Sequence, residues 1–359
     1  MTFSVRLKSP SLSASDFGDV LQLIKFVLLI AACIVGAGRV GAQPQPDSLR
    51  PDQKPGVKDT LRSRSDTLTA GDAVPGDVVA YESPIQRMPS SDCPINGSQL
   101  NAVRAGVATA FVGGNAYLYH YFKKAWWSGE RSDGFFWNAD WDMQFRDQDK
   151  FGHMLGGYHL TRIGYAGLRA ACVSKTKALV ASGVYAALFQ LQIEVFDARF
   201  VKYGFSYPDV IANTTGQLFA IAQELEPGLK AIKPTFSYRK TRALKNRAVA
   251  SELRPSIDYE GQTYWFSADV NRMLPDGAKP YWPSFVRLSV GHSTTDWINE
   301  QGASYRAKRK ILLSLDLDPE KLPGNAPIWR SIKHTLSYYR FPAPALQITP
   351  NLHLIPWYR

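Results

Sequence analysis

A chain of 359 residues exceeds one average domain and fits two. Its 45% hydrophobic content excludes global disorder, and three cysteines exclude a disulfide scaffold and a paired-cysteine zinc site. A net charge of +11 points to an anionic partner, and 12% aromatics favour surfaces with one wet and one greasy side over a nucleic-acid arm.

Residues 1–42 read as a secretory signal peptide. Arg6, Lys8 and Lys25 precede the uncharged run Phe26–Gly38, which is too short to span a bilayer. Small residues then lead to Ala42. A second reading takes Ile30-Ala31-Ala32-Cys33 as a lipobox that lipidates Cys33, against which the residues after Cys33 stay apolar. Cleavage after Ala42 leaves a net charge of +9, with Cys93 and Cys172. In an oxidising compartment these two form a bridge or remain thiols, and their spacing does not decide which. Residues 43–94 hold eight of the 23 prolines and one aromatic, Tyr81, so they are expected to be a disordered tether.

Residues 97–232 read as four helices. The first runs from about Gln99 to Trp126, the second from Gln148 to Cys172, the third from Lys175 to Phe200 and the fourth from Ser206 to Glu226. Long uncharged stretches and interior glycines, Gly152-x-x-x-Gly156 among them, indicate close helix packing. The pattern fits a buried four-helix bundle or short membrane-embedded helices, without separating the two. Between the first two helices, Trp126, Trp127, Phe135, Phe136, Trp137, Trp141 and Phe145 crowd one loop. It reads equally as a membrane-interface belt or a large loop packed over a bundle end.

Residues 233–255 are expected to be a basic hinge. Lys230, Lys233, Arg239, Lys240, Arg242, Lys245 and Arg247 lie there or beside it with no acid among them, a composition suited to anionic headgroups or to a solvated linker. Over 256–359 the period changes to two and turn formers recur, which predicts four to six antiparallel strands. That is too few for a closed outer-membrane barrel. The expected class is α+β, a helical bundle followed by a small antiparallel β region.

Chemistry is concentrated on the helices. Asp149 and His153 are four apart, hence on one face, while Lys150 is expected to point about 100° away from Asp149. Glu194 and Asp197 share a face of the third helix, next to Gln190, and Asp209 and Asn213 a face of the fourth. If these stripes converge, Asp149, His153, Glu194 and Asp209 form a candidate catalytic or metal set, with Lys150, Asp197 and Asn213 completing a polar cluster. Structural roles are open for each: Ser206-x-x-Asp209 is a capping-box variant, and Asp149 lies where the helix dipole favours an acid. Trp126, Trp127, Trp137, Trp141, Arg239, Lys240 and Arg242 are the candidate lipid-facing residues. No nucleophile-elbow, zincin or phosphate-loop motif is present, and the residues name no cofactor.

These residues also carry a resemblance. Phe135-Phe136-Trp137-Asn138 with Asp140, Asp149-Lys150-Phe151-Gly152-His153, Tyr158-His159-Leu160, Glu194-x-x-Asp197 and Tyr203-Gly204-Phe205-Ser206-Tyr207-Pro208-Asp209 with Asn213 and Gly216 closely resemble domain-of-unknown-function family 2279. Its members are YfiM-like periplasmic or envelope lipoproteins. The D-K-x-x-H, acidic-helix and D-x-x-x-N order is similar, more distantly, to VanZ-like membrane proteins, although Tyr158 follows His153 by five rather than the usual four. The resemblance implies a compartment and an architecture but no reaction. The combined reading is an exported protein of the periplasm or outer membrane, membrane-associated and non-enzymatic. Its partners are anionic lipid or lipopolysaccharide headgroups and an envelope protein, not nucleic acid. The alternative is a metal- or acid–base-dependent hydrolase of an envelope lipid, phosphoester or glycan.

Overall fold

Ser206 shows how local chemistry sets the helix ends. Its hydroxyl accepts from Asp209 N at 3.1 Å, and Pro208 occupies the first turn, where no amide donor is needed. The computed structural model describes Cys93, Ile95 and residues 97–245, 255–299 and 303–358. The signal segment, nearly all of the tether and residues 246–254 of the expected hinge lie outside the described residues.

The fold is mixed helix and sheet, α+β. Its long helices are α1 (Gly97–Ala125), α2 (Gln148–Ala170), α3 (Lys175–Asp197) and α4 (Tyr207–Leu225). The closest backbone approach joins α2 to α4. A Cβ on Gly216 would stand 1.9 Å from Met154 O, and one on Gly157 would stand 2.3 Å from Asn213 O. The expected close pair is therefore displaced: Gly152 instead faces the Tyr264 hydroxyl, and Gly156 faces Gln190. Helix α1 lies on α3 through the Phe111–Tyr185 edge contact and the Asn115 Nδ2 bond to Tyr185 Oη at 3.0 Å. A Cys93–Cys172 disulfide ties the start of α1 to the end of α2, settling the thiols as a bridge.

The aromatic loop is not featureless. Its β1 (Trp137–Asn138) pairs in parallel with β2 (Phe205–Ser206), which joins α3 to α4. The six further strands are β3 (Ile232–Tyr238), β4 (Gln262–Ala268), β5 (Val286–Thr295), β6 (Lys308–Leu317), β7 (Ala343–Thr349) and β8 (His353–Tyr358). They form one antiparallel sheet in sequence order. The other edge of β3 bonds the chain that leads into β7: Phe236 N donates to Tyr338 O and Arg340 N to Phe236 O, both at 2.9 Å. The sheet thus curls round towards its own first strand.

The basic hinge is corrected here. Its first residues form β3, and Lys233 is not solvated but paired with Glu320 at 3.1 Å. Short helices α5 (Arg242–Lys245) and α6 (Val270–Met273) follow, and α7 (Pro327–Leu336) precedes β7.

Inside the curl lies an unusual core. Trp265, Leu312 and Ala345 are buried together with Ser237, Ser267, Ser289 and Ser314 and the Arg287–Asp316 pair at 2.6 Å. The Arg340 guanidinium stacks 3.8 Å from the Trp265 ring centroid. The outer sheet face receives the helices. Phe151 stacks on His292 at 4.3 Å, Gln148 Nε2 donates to Gln262 O at 2.9 Å, and Phe219 meets Phe266. These contacts anchor the start of α2, where the polar residues converge.

Candidate functional site

Lys150, in the first turn of α2, ends in a cage of three aspartates. Its Nζ is 2.7 Å from Asp140 Oδ2, 2.8 Å from Asp149 Oδ2 and 2.8 Å from Asp209 Oδ1. Asp140 comes from the loop after β1, Asp149 from α2 and Asp209 from the first turn of α4. Ser206 ties two of these together: its hydroxyl donates to Asp140 Oδ1 at 2.6 Å while capping α4. Side chains at adjacent helix positions normally diverge. Lys150 nevertheless reaches Asp149, since its long side chain brings the ammonium to Asp149 Oδ2 although the two positions leave the helix about 100° apart.

The launch of α2 is braced from the sheet side. Asp142, Arg146 and Asp147 have positive φ. Arg309 bonds Asp147 at 2.7 Å and Asp142 at 3.1 Å, and Arg306 bonds Asp142 at 2.6 Å. These contacts fix the turn that aims Asp149 and Lys150 inwards.

His153 stands one helical turn further on. Its Nδ1 lies 3.1 Å from Asn213 Oδ1, an oxygen that also accepts from Gln190 Nε2. Gln190 Oε1 accepts in turn from Gln217 Nε2 at 2.9 Å. This relay sets the Asn213 carboxamide with its oxygen towards the ring, an arrangement that matches the tautomer in which Nδ1 donates. His153 Nε2 faces Asp209 Oδ1 at 3.6 Å, and Nδ1 lies 3.7 Å from Glu194 Oε1, both beyond hydrogen-bond range. Glu194 Oε2 accepts from Ser206 N at 3.3 Å. Its Oε1 is buried and accepts no hydrogen bond, whereas Asp209 Oδ1 has the Lys150 ammonium beside it at 2.8 Å.

Several acids therefore sit in a dry pocket with few cations. Burial pulls the Lys150 ammonium down, but Asp149 and Asp209 more than offset this, so its pKa is raised and it stays charged. Burial lifts Asp149 to about 6, opposed by Lys150 and reinforced by Asp209. Glu194 is pushed up to about 9 by burial, with Asp209 and Asp197 adding. Asp197 rises to about 7 by burial, opposed by the hydrogen bond from Trp127. Two triads of ligand atoms close enough for one ion share Asp209: Asp140–Asp149–Asp209 and His153–Glu194–Asp209. The Lys150 ammonium already fills the first.

The structure brings Asp149, Lys150, His153, Glu194, Asp209 and Asn213 into one cluster. Asp197 lies at its margin, where its Oδ1 accepts from Trp127 Nε1 at 2.6 Å. This corrects the placing of Trp127 among lipid-facing residues: it is buried and stacked on Phe196. Trp126 is half-buried on Phe122, whereas Trp137, Trp141, Arg239, Lys240 and Arg242 are exposed. Asp140 and Ser206 were not among the candidates. Only the family-like run Phe135–Asp140 carried a signal for Asp140, and the capping pattern carried one for Ser206.

The sequence model of a family described as predicted periplasmic lipoprotein, domain-of-unknown-function family 2279, matches residues 133–224. That segment holds every member of the cluster. No curated protein and no solved structure matches the chain. The match agrees with the export signal expected from the sequence of residues 1–42, and the localisation is exported and periplasmic.

Proposed function

We propose that this exported protein seats the outer face of a four-helix bundle on envelope lipid, as a membrane-associated and non-enzymatic element whose Asp/Lys/His/Glu/Asn cluster holds the helices together. One observation carries the reading: α3 is inside-out. Between Lys177 and Arg199 its exposed positions are Val180, Ala181, Val184, Ala187, Leu188, Leu191 and Val195, with no polar group among them. Its Ser182, Gln190 and Glu194 are buried. Helix α4 follows it in part: Ile211, Leu218 and Leu225 point out beside Thr214 and Thr215, whose hydroxyls bond back to the helix, while Asp209, Asn213, Gln217, Gln223 and Glu224 point in. A water-facing helix distributes these residues the other way round. A contiguous apolar face of this kind marks a contact surface.

Lipid is the favoured occupant because of what brackets the face. Helix α3 is long and apolar enough to cross a bilayer, and only 44% of its apolar window is buried within the protein. Exposed Lys175 and Lys177 stand at one end and Arg199 and Lys202 at the other. Trp137 and Phe135 pack around Phe205 beside that second end. Aromatic and basic residues at the rim of an apolar face suit a headgroup boundary. Each basic side chain near anionic lipid adds about 1 kcal/mol, a role open to Arg239, Lys240 and Arg242 as well. The distant VanZ-like order of motifs belongs to the same proposal. The test is flotation of the mature chain with vesicles of phosphatidylglycerol and of phosphatidylcholine. Flotation with both, stronger with the first, supports the reading. A chain that stays soluble with neither overturns it.

The hydrolase reading keeps one supporting observation. His153 is 25% exposed in front of Asp209 and Glu194, so the cluster is open to solvent at that residue. Turnover of a phosphoester or glycan that is lost in His153→Ala would favour it.

A further inference from the structure

We propose that His153, Glu194 and Asp209 form a binding site for one divalent transition-metal ion of the zinc class. The inference does not depend on lipid seating, since the apolar face and this triad share no residue. Three observations carry it. One ligand atom from each residue lies within 4.8 Å of the other two, a span that a small inward movement closes onto a single ion. Glu194 is 1% exposed, yet its Oε1 accepts no hydrogen bond, and it lies 3.7 Å from Nδ1 at the edge of the imidazole. A buried polar oxygen left without a partner costs free energy that a bound cation removes.

The imidazole supplies the third argument. In the tautomer whose Nδ1 donates to Asn213, Nε2 is the ligating nitrogen, and it lies 3.6 Å from Asp209 Oδ1. A tetrahedral zinc site with bonds near 2.1 Å sets neighbouring ligands about 3.4 Å apart, close to that separation. The Asn213–Gln190–Gln217 relay is the kind of outer shell that fixes a ligating histidine. Lys150 does not occupy the position. Its ammonium is held by Asp140 and Asp149 as well as Asp209. Imidazole with two carboxylates suits zinc or manganese better than magnesium. The partial exposure of His153 provides an entry path and an open position for water.

The experiment uses the mature chain without a histidine tag, stripped with chelator and titrated with Zn2+ by calorimetry, with bound metal measured by mass spectrometry. One zinc per chain is expected in the wild type and in Asp276→Asn, a surface acid outside the triad whose side chain is 95% exposed. His153→Ala and Glu194→Gln should each weaken binding by at least about tenfold. Should Glu194→Gln fail to fold, His153→Ala decides alone, because its side chain is partly exposed. Absence of stoichiometric zinc in the wild type, or zinc retained in His153→Ala, overturns the proposal.

Discussion

Lys150 Nζ lies 2.7 Å from Asp140 Oδ2, which joins the first turn of α2 to a loop ten residues upstream. Asp149 and Asp209 complete the cage, and all three carboxylates are at most 11% exposed. Removing the ammonium leaves three acids in a dry site. Lys150→Met should therefore destabilise the fold by about 3–5 kcal/mol in urea unfolding at pH 7. A cost below about 1 kcal/mol would mean that water reaches the cage and screens it.

The backbone contact between α2 and α4 makes a sharper steric prediction. Gly216→Ala would push a methyl group into Met154 O, and Gly157→Ala one into Asn213 O. Each should cost about 1–3 kcal/mol or more. Gly113→Ala, on α1 with nothing within 4 Å, should be neutral or stabilising by about 0.5–1 kcal/mol. Equal effects at the three sites would contradict the packing.

The helices were readable from sequence because two signals agreed. Uncharged runs such as Ala178–Ile193 marked their interiors, and Ser206, Pro208 and Pro227 marked their ends. Each of the four begins and ends within about three residues of its expected limits. Strand β3 was hidden because Lys233 looks like a hinge charge until Glu320, 87 residues later, is placed beside it. Trp127 misled for a related reason. Composition gives an aromatic loop but not which ring turns inwards, and the partner that turns this one is Asp197. Helix periodicity put Asp149 with His153, Glu194 with Asp197 and Asp209 with Asn213 on common faces, while their convergence depended on how the helices pack. Asp140 could not be placed in this way, since a loop residue has no period to read.

His292 supplies a pH test away from the cluster. Burial against Phe151 and Gln148 lowers its pKa to about 4, with Arg309 contributing. The unfolded chain binds a proton near pH 6.5 that the folded one refuses, so this residue's contribution to stability falls as pH drops from about 6.5 to 4. Comparison with His292→Asn isolates the group. Over that window the wild type should lose about 1.4 kcal/mol per pH unit more than the variant. Parallel pH profiles would contradict a buried neutral imidazole.

The Cys93–Cys172 bridge closes 79 residues of chain and holds α1 against the rest. In the chain-entropy account a loop of that size contributes about 4–5 kcal/mol. Cys172→Ser should lower the urea midpoint and leave α1 the first segment to exchange its amides. Uniform loss of protection across all four helices would instead make α1 part of a single cooperative unit.

The central claim concerns the outer face of α3, and one measurement tests it most directly. The double variant Val184→Lys with Leu191→Lys places two charges on exposed positions without touching the buried cluster. Flotation with phosphatidylcholine vesicles, where headgroup charge contributes little, reads the apolar contact alone. The account predicts that the wild type floats and that the variant stays in solution with its circular dichroism unchanged. A folded variant that floats as well as the wild type would contradict it.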